Sequence, residues 1–178
     1  MKFFPAFFDL AGRRVVVAGA GEAASRKARL LVDAGARVEF AAPAFTPSFA
    51  AEWERRALLI RSGPDSQLLA GAALIFVAVD DEGEAAAWAR AAQAAGVPVN
   101  AVDRPALSDF ATPSIVDRGD VVVAISTGGA APVLGRRLLT DRSPGLRGLR
   151  KAAVHIRQSG DPHLLRLLGK ACDGVRAE

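Results

Sequence analysis

The sequence predicts an α/β fold: a parallel sheet covered by helices on both faces, then a small α+β segment and a short helical tail. Three observations carry that reading. Short β-branched runs alternate with alanine-rich helical stretches from Val15 to Val102. One run, "ALIFVAV" (Ala73–Val79), has no polar position and reads as a strand buried on both sides. After Asp103 the alternation gives way to polar, proline-containing turns.

The elements follow in order. Val15–Ala18 is an apolar strand, and Glu22–Ala34 is a helix stopped by Gly35. Arg37–Ala42 is the second strand. Thr46 caps a helix with Pro47 in its first turn, running to Ala57. Leu58–Arg61 and Ala73–Val79 are the third and fourth strands. Glu82–Ala95 is a helix closed by Gly96, and Val97–Val102 is the fifth strand. Beyond "DRPALSDFATPSIVDRGD", read as turns, come a strand at Val121–Ile125 and helices near Val133–Leu139, Leu146–Arg157 and His163–Ala171. The divisions expected are 1–112, 113–145 and 146–178.

Composition narrows the function. With 178 residues, 51% of them hydrophobic, the chain can bury a core of its own. The lone cysteine, Cys172, cannot form an internal disulfide, so a reducing, cytoplasmic setting is expected. No apolar run is long enough to span a membrane, and "MKFFPAFFDLAGRR" is too broken by Pro5 and Asp9 to be a signal peptide. Without tyrosine, a dehydrogenase built on a Tyr-Lys pair is excluded. Both histidines, His155 and His163, lie in the tail, so the front of the chain has no imidazole base and no Cys/His metal cluster. From Leu134 onward ten basic residues face four acidic ones. Such a tail suits a polyanion or is a solvated helical face.

Gly19-x-Gly21-x-x-Ala24 ends the first strand and opens the first helix. The first glycine permits the turn, the second lets a pyrophosphate approach the backbone, and Ala24 stands where helix and strand pack closely. In the first βαβ unit of an alternating pattern this is the context of a Rossmann-type dinucleotide site. The acid that holds a ribose is not in its usual place. Glu39 has the spacing but falls within the strand, and Ala41, Ala42 and Pro43 occupy the strand end. No arginine stands there to favour a 2′-phosphate, so NAD is expected over NADP.

Ligands of open α/β sheets sit at the carboxyl ends of the strands. Asp80 and Asp81 follow the fourth strand and read as a helix start, where acids offset the positive end of the dipole. Asp103 ends the fifth strand with Arg104-Pro105 behind it, so no helix begins at once. It is either a turn-former or a reacting carboxylate.

Taken together, "FFDLAGRRVVVAGAGEAASRKARLLVDAGARV", "VNAVDRP" and "FATPSIVDRGDVVVAISTGGAAPVL" resemble the precorrin-2 dehydrogenase family, the front module of siroheme synthase. The resemblance covers about Pro5 to Leu139. It implies NAD-dependent oxidation of precorrin-2 to sirohydrochlorin. In many members the same site also inserts ferrous iron. It further implies a homodimer formed through the segment after the nucleotide domain. By the same resemblance the critical aspartate is Asp103. Cofactor contacts fall on Glu22 and Ala23 and on Pro43 and Ala44. The family's "S-[ST]-G-G" turn is Ser126-Thr127-Gly128-Gly129. Thr127 stands in a slot often held by Ser, keeping the hydroxyl.

The chemistry agrees with that mapping. The oxidation removes a hydride, which NAD⁺ accepts, and a proton, which needs a base. With no histidine in the front half, a carboxylate has to serve. The substrate is a polycarboxylate, and Arg118, Arg136 and Arg137 are candidate partners because a guanidinium binds carboxylates bidentately. A competing reading is a catalytically silent NAD-binding regulator whose basic tail meets DNA. The tail has no aromatic interleaving and no helix-turn-helix pattern, so nucleic acid is not the expected partner.

Overall fold

The computed structural model describes residues 4–117 and 122–126. The chain divides into two compact units, Met1–Ala111 and Thr112–Glu178. The first unit runs β1 (Arg14–Ala18), α1 (Glu22–Asp33), β2 (Arg37–Ala42), α2 (Pro47–Trp53), β3 (Leu58–Arg61), α3 (Ser66–Leu69), β4 (Leu74–Val77), α4 (Glu82–Ala95), β5 (Val99–Ala101) and a 3-10 turn at Pro105–Leu107. The sheet order is β3-β2-β1-β4-β5 with every pairing parallel. The chain grows outward from β1 to β3, then returns to lay β4 on the other side of β1. That reversal makes the β1/β4 boundary the switch point where such sheets bind ligands.

Side-chain alternation explains both layers. Val15 and Val17 point to the face covered by α1 and α2, where they meet Ala24, Ala28, Leu31, Phe49 and Trp53. Val16 and Ala18 point to the opposite face, against Leu69 of α3 and Ala85, Trp88 and Ala92 of α4. Each layer is anchored by a fully buried tryptophan, Trp53 or Trp88. Truncating one to alanine would cost about 3–5 kcal/mol. The indole N–H of Trp53 donates to Ser25 Oγ at 2.9 Å, which satisfies both buried polar groups.

β5 is an edge strand, and its outward backbone groups are paired by the chain that follows it. Val99 N–H donates to Asp109 Oδ2 at 2.9 Å, and Asp109 N–H donates back to the Val99 carbonyl at 2.8 Å. Ala101 N–H donates to Ser108 Oγ at 2.9 Å, and the Ala101 carbonyl accepts from Arg104 N–H at 3.1 Å. Inside the strand, buried Asn100 sends its amide to the Phe110 carbonyl at 2.6 Å.

The second unit contributes an antiparallel pair, β6 (Ser114–Asp117) and β7 (Val122–Ile125), in the register Ser114↔Ile125 to Asp117↔Val122. The Pro-Ser-Ile-Val-Asp stretch read as a turn is therefore strand from Ser114 on. Other differences are of extent. β4 and β5 are shorter than their apolar runs, α2 stops at Trp53 rather than Ala57, and α3 is additional. The expected helices after Val133 lie outside the described residues, as does most of the 113–145 and 146–178 divisions. Among the described residues no helix is long and apolar enough to cross a membrane.

Candidate functional site

The carboxyl ends of β1, β2, β4 and β5 share one edge of the sheet, and the described candidates of the nucleotide domain lie along it. Gly19 follows β1 with φ 113°, a conformation L side chains rarely adopt. Its N–H donates to the Ala41 carbonyl of β2 at 2.9 Å. A β-carbon there would run into the backbone carbonyl of Ala78, so the glycine is dictated by the close passage of two chain segments.

Gly21 is different. Its backbone is extended (φ −103°, ψ −177°), which any residue adopts, and a β-carbon on it would meet nothing within 4 Å. The fold does not need a glycine here. A ligand lying against the backbone would. Gly21 is also the N-cap of α1, which carries no side-chain cap bond. Among the described residues the other α-helices are each capped, by Thr46, Asp65 and Asp81. The first-turn N–H groups of α1, over Glu22 and Ala23, are thus left facing the open position beside Gly21. Glu22 is exposed and reaches Arg29 at 3.2 Å, and Pro43 and Ala44 are exposed at the exit of β2. These residues fit a dinucleotide pyrophosphate: bare backbone, uncapped helix start and no side chain in the way.

Glu39 is taken out of the question of ribose recognition. It sits within β2, and its Oε2 accepts from Arg14 Nε at 2.8 Å. The rest of the Arg14 guanidinium holds the Leu68 and Ala70 carbonyls near α3. Asp81 acts as expected, its Oδ1 accepting from Glu84 N–H at 2.7 Å to cap α4.

Asp103 stands exposed at the exit of β5 with φ 59°. Among the described residues it is the one non-glycine in the left-handed region, where aspartate is better tolerated than most residues. Two cations flank it. Arg104 turns back toward β4 and donates to the Val79 carbonyl at 3.0 Å and the Asp80 carbonyl at 2.6 Å. Lys27, on the sheet-facing side of α1, lies over the Phe76 ring at 5.4 Å from its centroid. Burial pushes the Lys27 ammonium below its usual range. The Asp103 carboxylate acts on it in the opposite sense, and Arg26 adds to the depression. Phe76 packs edge-on against Phe110 at 5.5 Å.

Neither Lys27 nor Arg104 stood out as a site residue in the sequence. Lys27 left a trace, because it interrupts the stripe of Ala24, Ala28 and Leu31 that buries α1. Arg104 left none beyond its place before a proline. Ser126 is described and exposed after β7, whereas Arg118, Thr127, Gly128, Arg136 and Arg137 lie outside the described residues.

An open parallel sheet of this order, with a bare glycine backbone at an uncapped helix start beside its switch point, defines a dinucleotide-binding α/β domain. The match to known proteins narrows this. The chain belongs to the NAD_binding_7 family of NAD(P)-binding domains, which matches residues 6–114. It is 48% identical over 136 residues to the siroheme synthase of Ectopseudomonas mendocina (strain ymp), covering 76% of this chain and 29% of that protein. It is 43% identical over 139 residues to the siroheme synthase of Thiobacillus denitrificans (strain ATCC 25259 / T1), covering 78% and 29%. The chain thus spans less than a third of the length of the curated relatives it matches. A solved structure of SirC, precorrin-2 dehydrogenase, shares the fold with a TM-score of 0.63 and 23% identity, over 94% of this chain and 88% of that one.

Proposed function

We propose that this chain oxidises precorrin-2 to sirohydrochlorin with NAD⁺, as an oxidoreductase of siroheme biosynthesis. The observation that carries the reading is the pairing of two features on one sheet edge. One is the open backbone at Gly21, which the fold itself does not require. The other is Asp103, held in a left-handed turn at the exit of β5. Similarity to siroheme synthases supplies the substrate class.

When bound, NAD⁺ supplies the hydride acceptor. The chain's own part is to hold the pyrophosphate at Gly19, Gly21, Glu22 and Ala23, pass the adenosine end over Pro43 and Ala44, and take a proton on the Asp103 carboxylate. Hydride and proton together account for the hydrogen removed. Ser126, Thr127 and Gly128 would line the tetrapyrrole, with Arg118, Arg136 and Arg137 meeting its carboxylates. We further propose a cytoplasmic homodimer assembled through residues 113–145, ahead of a basic tail at 146–178. Iron insertion at the same carboxylate is the second activity to examine, with Fe²⁺ as a substrate. Among the described residues no group of three or more His, Cys, Asp or Glu could hold a resident metal.

The test is anaerobic spectroscopy of the purified chain with enzymatically generated precorrin-2, with and without NAD⁺, followed by Fe²⁺. A sirohydrochlorin spectrum that needs NAD⁺ and comes with NADH supports the dehydrogenase. A later siroheme spectrum, faster than without protein, adds the chelatase. Folded protein that yields no NAD⁺-dependent product overturns the proposal.

A further inference from the structure

We infer that Arg104 is a positioning residue, a clamp that ties the exits of β4 and β5 together and so sets where the Asp103 carboxylate stands. This rests on the reading of Asp103 as the proton acceptor and goes beyond it.

Asp103 sits at the junction of a very short strand and a turn, at φ 59°, so its direction is not fixed by sheet hydrogen bonds. Left-handed backbone in a residue other than glycine persists where its surroundings over-determine it. Arg104 supplies much of that constraint. One arm of its guanidinium, Nη1, donates to the Val79 carbonyl at 3.0 Å and to the Val102 carbonyl at 3.4 Å. The other arm, Nη2, donates to the Asp80 carbonyl at 2.6 Å. Val79 and Asp80 are the second and third residues beyond β4, and Val102 immediately precedes Asp103. A single planar fork therefore joins the segment leaving β4 to the segment leaving β5. Ser108 closes the turn from its far side, with its Oγ 2.9 Å from the Arg104 carbonyl.

The fork also separates Arg104 from the substrate-binding role a basic residue near a polycarboxylate invites. Both terminal nitrogens are engaged with backbone carbonyls, and the side chain is half-buried. A lysine could not replace it in full, since one ammonium cannot span carbonyls on two segments with the same fixed geometry.

The experiment compares Arg104→Ala, Arg104→Lys and Asp103→Asn in the full chain. Turnover of precorrin-2, calorimetric NAD⁺ affinity and amide exchange are read for each. The clamp predicts that Arg104→Ala loses about 10- to 100-fold in kcat with KM for precorrin-2 within about twofold, because misplacing a reacting group acts on the transition state. NAD⁺ affinity stays as in the wild type, and amides of residues 102–108 exchange faster. Arg104→Lys falls between the two, and added guanidinium ion restores part of the kcat of Arg104→Ala. If Arg104→Ala does not fold, the lysine variant must show the intermediate kcat at unchanged KM, and wild-type kcat there overturns the inference. A rise in KM at unchanged kcat would make Arg104 a substrate ligand and overturn it too. Asp103→Asn separates the two layers. If it is inactive while Arg104→Ala keeps wild-type kcat, the clamp is wrong. If Asp103→Asn itself turns over normally, the base assignment is wrong, and with it the catalytic meaning of the clamp.

Discussion

Arg14 and Glu39 meet diagonally across the paired strands β1 and β2, with Nε and Oε2 2.8 Å apart and both side chains mostly shielded from solvent. The one acid whose spacing suits a ribose is thereby committed to joining two strands and the α3 segment. Glu39→Gln should leave NAD⁺ affinity unchanged and lower stability by about 1–2 kcal/mol, since a charge-assisted bond is weakened and a guanidinium loses its counter-charge. Calorimetric titration with NAD⁺ and urea denaturation check the two halves separately. A large loss of NAD⁺ affinity at full stability would return the glutamate to the cofactor.

The two glycines of the turn should part company on substitution. Gly19→Ala places a β-carbon against the Ala78 carbonyl at an unfavourable φ, and should cost about 3 kcal/mol of stability. Gly21→Ala meets nothing and should shift stability by no more than about 0.5 kcal/mol. The same methyl stands where a pyrophosphate would lie, so NAD⁺ affinity should fall by about tenfold or more. Equal destabilisation by both changes would refute the division of labour.

Asp103 offers a test in which stability and activity move apart. Asn tolerates the left-handed region nearly as well as Asp, so Asp103→Asn should stay within about 0.5 kcal/mol of the wild type. Its turnover should drop by about 100-fold or more, the usual worth of a positioned base. Asp103→Val, branched at Cβ, should lose the activity and a further 1–2 kcal/mol, approximately the strain of a left-handed residue. Denaturation curves and NADH formation measured on the same preparations distinguish these outcomes.

Lys27 ties stability to alkaline pH. Burial lowers its pKa in the folded chain below the ordinary 10.5, so between the two values the unfolded chain binds more protons. Stability then rises with pH across that window, as the penalty for a charged buried amine is relieved. Lys27→Met should be the more stable protein at neutral pH, and its advantage should shrink as pH approaches 10.5. No tyrosine titrates there to obscure the comparison. Because Asp103 opposes the depression, Asp103→Asn should move the window further down. An advantage for Lys27→Met that does not change with pH would mean that desolvation is not its source.

Much of this was legible in the sequence because its signals are local. The order of five strands and their helices follows from runs such as Val15–Ala18 and Leu74–Val77 alternating with alanine-rich stretches. The start of α1 at Gly21 and the caps Thr46 and Asp81 are single-residue signals. Ser66–Leu69 was not legible, since four residues show no period, and Ser114–Asp117 was not, because its strand character comes from pairing with Val122–Ile125. Within the candidate site, the placement of Gly19, Gly21 and Asp103 just beyond the ends of β1 and β5 could be read by position. The cations Lys27 and Arg104 could not, because their meaning lies in which ring or carbonyl they meet across the fold. Spacing alone made Glu39 a candidate that its neighbour Arg14 removes.

The pairing of Val99 and Ala101 with Ser108, Asp109 and Arg104 bears on assembly. A bare edge strand is a template for any extended segment of another chain. Here that template is already occupied, partly by side chains that imitate a sixth strand. Neighbouring molecules in a crowded solution therefore find no free ladder at β5 on which to nucleate cross-chain β-structure, and opening one would mean first unlacing the turn that holds Asp103. Substitutions that loosen this lacing, such as Asp109→Ala, should be seen as aggregation on concentrating the protein before they are seen as a lower melting temperature.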